Sequence, residues 1–193
     1  MQNSRRYMHI VAMLVLAVLM ACGGAYTPKP RGYFRIDFPE KAYRTYDSIY
    51  PFRFRLPVYA KLTPYSNNAQ EQNFMNIDIK HHKARIHLTY MNIDGNLDMM
   101  IEDAFAMAYK HTQKADAIDE RTYIDEQKRV YGLLYDIKGN SASAVQFFLT
   151  DSLNHYIRGA LYFNCRPNKD SLAPVVQFIK DDIVELMESL EWK

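Results

Sequence analysis

The sequence predicts an α+β domain in which an antiparallel β-sheet carries two helices packed on one face. Three observations lead there. Several short runs alternate apolar and charged residues with period two, two later stretches place apolar residues at helical spacing, and polar turn clusters separate the strand-like runs. A chain of 193 residues, 48% hydrophobic, suits one domain with a real core. Its 15 tyrosines against 7 glycines favour aromatic-rich strands over a fibrous or low-complexity class.

Taken in order, Tyr33 to Phe38 reads as the first strand, with Phe34, Ile36 and Phe38 on one face and Arg35 and Asp37 on the other. Phe52 to Leu56 repeats the pattern, Phe52, Phe54 and Leu56 facing in and Arg53 and Arg55 facing out. Pro39, Pro51 and Pro57 bracket these strands and suggest sheet edges or ends. Met75, Ile77 and Ile79 alternate next, then Ile86, Leu88 and Tyr90. The period then changes. Leu97, Ile101, Ala104, Phe105 and Ala108 share a helical face, with Asn96 as N-cap and Asp98 in the first turn. Strand-like runs follow at Arg129 to Ile137, Ala144 to Leu149 and Tyr156 to Phe163, joined by turns at Lys138 to Ser141 and Asp151 to Asn154. A last helix places Val175, Ile179, Ile183, Leu186 and Leu190 on one face, with Pro174 in its first turn and Asp181, Asp182, Glu185 and Glu188 mostly off that face. The order of hairpins, helix, meander and helix resembles the PsbP-like α/β sandwich.

The start of the chain carries a different message. Arg5 and Arg6 precede an apolar run from Ile10 to Ala21, shorter than the ~20 residues that a membrane-crossing helix needs. A basic start, a short apolar core and a small residue before the break describe a secretory signal peptide over residues 1–21. Leu19-Met20-Ala21-Cys22 resembles the bacterial lipobox, which implies cleavage between Ala21 and Cys22 and acylation of Cys22 with chains such as palmitate. The bland alternative is an ordinary signal peptide with an incidental cysteine nearby. Each buried lipid methylene contributes ~0.8 kcal/mol, so two or three chains suffice for a permanent anchor. Residues 22–31 then form a tether of glycine and proline spanning at most ~30 Å, and residues 32–193 a single globular domain. Cleavage removes two of the 24 basic residues and no acid, which brings the mature chain to balance with its 22 acidic ones. That balance argues against a nucleic-acid surface. With Cys22 acylated, Cys165 has no internal partner; it ends an apolar run and reads as a small buried hydrophobe.

Motifs for chemistry are sparse. His81 and His87 share a strand face but lie ~20 Å apart unless the chain turns near Lys83, so a solvated hairpin tip is favoured over a metal site. Gly139 to Ser143 lacks the second glycine of a nucleophile elbow. No phosphate loop or zinc-hydrolase motif is present, so neither a metal nor another cofactor is expected. Arg35, Asp37, Arg53 and Arg55, exposed beside aromatic residues, form the candidate interaction face.

Cys22 with Tyr26 to Tyr43, the Pro51-Phe-Arg-Phe block and the final Ser189 to Lys193 resembles the gliding motility lipoprotein GldD family of Bacteroidetes, over nearly all of the mature chain. The resemblance implies a non-enzymatic envelope lipoprotein of a gliding machinery linked to type IX secretion, with only Cys22 carried over as a functional position. Its partners would be the membrane and other gliding or secretion proteins. The tether lacks the acidic cluster of surface export, which favours the outer membrane and a domain facing the periplasm. The alternative function is a domain that binds a small molecule or glycan in a cleft between sheet and helices.

Overall fold

The computed structural model describes residues 6–9, 13, 35–47, 49–64 and 73–193. Two units are distinguished, Met1–Phe34 and Arg35–Lys193. In the first, residues 6–9 and 13 are helical. Cys22, the tether, and Tyr33 and Phe34 of the first expected strand lie outside the described residues.

The second unit builds on two antiparallel sheets. The strands are β1 (Tyr43–Asp47), β2 (Phe52–Pro57), β3 (Lys61–Pro64), β4 (Phe74–Ile79), β5 (Ala84–Asn92), β6 (Ala115–Asp125), β7 (Val130–Gly139), β8 (Ser143–Thr150), β9 (His155–Phe163) and β10 (Glu191–Trp192). Helix α1 spans Leu97–Tyr109 and α2 spans Lys169–Ser189. Seven strands form the main sheet in the order β3-β4-β5-β9-β8-β7-β6, and β1-β2-β10 form a smaller one. Tertiary pairing of neighbours is antiparallel throughout. Among the described residues, β7, β8 and β9 follow one another through short hairpin turns, as antiparallel neighbours can.

The antiparallel α+β class is as the sequence predicts, but the two helices do not share a face. On β8, Val145, Phe147 and Leu149 join the core that contains Ile179, Ile183 and Leu186 of α2. Phe148 points the other way, into the core of Ala104 and Ala108 of α1. Neighbours on a strand alternate faces, so α1 and α2 lie on opposite sides of the main sheet. β2 adds Phe52, Phe54 and Leu56 to the α2-side core. Each such aliphatic or aromatic side chain, fully buried, stabilises by roughly 2 kcal/mol.

Other local expectations change as well. Residues 35–42 form no strand; Phe38 stacks on Phe178 of α2 at 4.5 Å between ring centres, which replaces ladder bonds with a ring contact. Asn96 precedes α1 as expected, yet its Oδ1 accepts from the Asp94 amide at 2.9 Å, so it closes the preceding turn instead of capping the helix. Phe105 is half exposed and stacks on Tyr109, leaving the small Ala104 and Ala108 to approach the sheet. The second helix starts at Lys169, capped by the Asn168 side chain, so Pro174 falls beyond its first turn. Cys165 lies past the end of β9 and is exposed, because the apolar run stops at Phe163.

Candidate interaction face

The small sheet brings two of the four predicted face residues together. Register places Asp47 of β1 and Glu191 of β10 on either side of Arg53. Arg53 Nε donates to Glu191 Oε2 at 2.8 Å, and its Nη2 reaches the same oxygen. Asp47 in turn meets Lys193, whose ammonium holds the Asp47 carboxyl below its ordinary range. Arg55 pairs with Glu185 of α2 at 2.5 Å, and its backbone amide donates to Ser189 Oγ at 2.8 Å. β2 thus presents a row of alternating charge. The strand is flanked by two exposed apolar residues, Ile49 (91% exposed) before it and Val58 (54%) after it.

Arg35 and Asp37 do not join this row. They pair with each other at 3.3 Å and are almost fully exposed.

Behind the face lies a constellation that the sequence reading missed. Asp182 of α2 is 2% exposed. Lys41 Nζ donates to its Oδ1 at 2.6 Å and to the Phe178 carbonyl at 2.5 Å, while the ammonium sits 3.9 Å above the Phe178 ring. The Tyr43 hydroxyl donates to Oδ1 at 2.9 Å and the Tyr59 hydroxyl to Oδ2 at 2.5 Å. Burial, then the bond to this carboxylate, pushes both phenols well above the ordinary tyrosine range, so both remain donors at any physiological pH. The carboxylate therefore fastens the segment that follows the tether in sequence, residues 41–43, and the turn at Tyr59 to one helix. A signal existed. Val175, Ile179, Asp182, Leu186 and Leu190 follow the four- and three-residue steps of an apolar stripe, and a carboxylate within that stripe requires buried partners.

His82 packs into the same region, 5.3 Å from Phe38 and 5.6 Å from Phe178 by ring centres. Its Nε2 is buried without a hydrogen-bond partner among the described residues. Burial first, and His81 second, hold its pKa below the usual histidine value. His87 is separate: it lies in β5, opposite Asn76 of β4, with Nδ1 2.6 Å from the Asn76 amide oxygen.

The family model of the gliding motility lipoprotein GldD matches residues 23–192. The chain belongs to that family. As a member of a lipoprotein family, it is a lipid-anchored protein of the cell envelope, associated with gliding motility. No curated protein matches it in sequence. Among solved structures, the solution structure of cyanobacterial PsbP (CyanoP) from Synechocystis sp. PCC 6803 is similar, with a TM-score of 0.50 at 9% identity. The likeness covers 80% of this chain and 95% of that one, and at such identity it speaks for the fold alone. The PsbP-like architecture expected from element order is thereby found.

Proposed function

We propose that the protein is a non-enzymatic component of a gliding machinery linked to type IX secretion, anchored by lipid on Cys22 in the outer membrane and facing the periplasm. It works through protein contacts made by the β2 face. The observation that carries the contact reading is the charge row Asp47–Arg53–Glu191 with Arg55–Glu185, bounded by exposed Ile49 and Val58. Ion pairs at this exposure contribute roughly 0–1 kcal/mol each, so a partner's carboxylates can exchange for them at little cost. Arginine beside exposed apolar side chains is a composition that interfaces favour. The buried Asp182 supports the same reading, since it fixes this side of the domain to the segment that follows the tether in sequence.

The anchor is tested by intact mass and membrane fractionation of the wild type beside Cys22→Ala. Wild type in the membrane fraction with added lipid mass, both lost in the variant, is the expected result. A soluble wild type cut elsewhere, or a variant that keeps the lipid, contradicts the anchor.

A further inference from the structure

On the α1 side of the main sheet, that helix covers Tyr135, Phe148 and Tyr156. The β4-β5-β9 part of this face is polar, and it holds a cleft of about 530 Å³. Lys80, Lys83, Arg85, His87 and Tyr162 line it, together with the carboxylate of Asp78. A second hollow of about 330 Å³ is walled by His87, Thr89, Arg158 and Tyr162. His87 and Tyr162 are common to both, so the two hollows adjoin along one polar groove face. Its size falls in the range of small-ligand sites.

The groove is built, not merely open. Its floor groups are held by buried amides on the neighbouring strands. Asn76, 5% exposed, meets His87, and Gln146, 2% exposed, accepts from Arg158 Nη2 at 2.9 Å. His87 packs edge-on against the Tyr162 ring at 5.4 Å, which fixes both rings. The charges are uneven. Arg85 has a carboxylate partner, Asp78, at 2.6 Å. Arg158, by contrast, is oriented by a neutral amide oxygen, which leaves its positive charge uncompensated by that contact. Lys80 and Lys83 add exposed ammonium groups at the other end.

Spacing narrows the ligand. Register puts Thr89 beside Arg158 and Arg85 beside Tyr162, four residues apart on β9, which is ~13 Å along the strand. The cationic positions are thus spread along the strand, an arrangement that suits a ligand with separated acid groups. Between them lie an aromatic ring and neutral hydrogen-bonding groups, suited to the apolar face and hydroxyls of a sugar. We propose that this groove binds an acidic oligosaccharide, with acid groups on separate sugars held by Arg158 at one end and by Lys80 and Lys83 at the other, and an intervening sugar on Tyr162. The site lies on the opposite side of the sheet from α2 and is independent of the contact face.

Calorimetric titration of the full-length lipoprotein in detergent micelles tests it. The probes are a hyaluronan tetrasaccharide, neutral chitotetraose, tetraglutamate and inorganic phosphate. Saturable binding of the hyaluronan tetrasaccharide is expected, at least tenfold tighter than any other probe. Arg158→Gln should weaken it at least tenfold, and Lys80→Glu several-fold; Lys80 is exposed, so that variant keeps the fold. No binding, equal binding of the neutral sugar, the peptide or phosphate, or affinity unchanged in Lys80→Glu overturns the proposal.

Discussion

Asp182 joins three chain segments through one side chain: two tyrosine hydroxyls and an ammonium converge on its two oxygens. Removing the carboxylate leaves Lys41, whose side chain is 29% exposed, without its counter-ion. Asp182→Ala is therefore expected to destabilise the domain by about 2–4 kcal/mol. Lys41→Met should cost less, because the two tyrosine donors still satisfy the carboxylate. Urea unfolding of the three proteins at neutral pH checks the order; an Asp182→Ala variant as stable as the wild type contradicts this account. The four candidate residues were half legible. Arg53 and Arg55 stand where period two puts them, on the wet face of a strand. Arg35 and Asp37 show the same alternation in a segment that forms no strand, because Phe38 finds its partner in the α2 ring of Phe178. Local pattern cannot express that long-range contact.

At the scale of elements, β8 is buried on both faces, and its packing against β9 leaves little slack. A Cβ built at Gly159 would lie 2.2 Å from Phe147 Cζ and 2.3 Å from Cε1, and Phe147 is itself buried in the α2-side core. Gly159→Ala should cost about 1–3 kcal/mol through overpacking. If the ring is the cause, Phe147→Leu in the same chain should recover part of that loss; a double-mutant cycle with no coupling would assign the effect elsewhere. The strands with clean alternation, β2, β4 and β5, were legible, as were both helices. β6 was not. Among the described residues it is an edge strand whose one neighbour is β7, and its charged, exposed residues protect the edge while erasing the apolar rhythm that reading depends on. The opposite placement of the helices was written in β8, where Phe147, Phe148 and Leu149 are consecutive and all buried. A continuous apolar run signals a strand covered on both sides.

For the whole molecule, acid is the condition that acts on several layers together. His82, His87 and His111 are each held below the ordinary histidine value, first by burial and then by His81, Arg85 and Arg158 respectively; Asp182 and Asp78 oppose the effect at His82 and His87. The unfolded chain, with histidines near 6.5, then binds more protons than the folded one. Stability is therefore full above about pH 6.5 and falls as the pH drops from there through the lower folded values. Asp151 acts in a more acidic window: burial opposes its charge, but the amides of His155, Leu153 and Asn154 overcome it and hold its carboxyl low. Urea midpoints between pH 7.5 and 5 should decline, and His82→Gln should flatten the slope. A midpoint constant over that range contradicts the assignment.

The central claim is that a lipid-anchored domain works by contacts through the β2 face, and one measurement addresses it most directly. Membrane fractions carrying the wild type or Arg53→Glu/Arg55→Glu are crosslinked, and the proteins joined to each are identified by mass. The same envelope proteins should be recovered reproducibly with the wild type and lost with the variant, while lipid mass is unchanged and a cooperative thermal transition, lowered by repulsion of the new glutamates from Asp47, Glu185 and Glu191, shows that the variant still folds. An unchanged set of crosslinked proteins in the variant would contradict the claim.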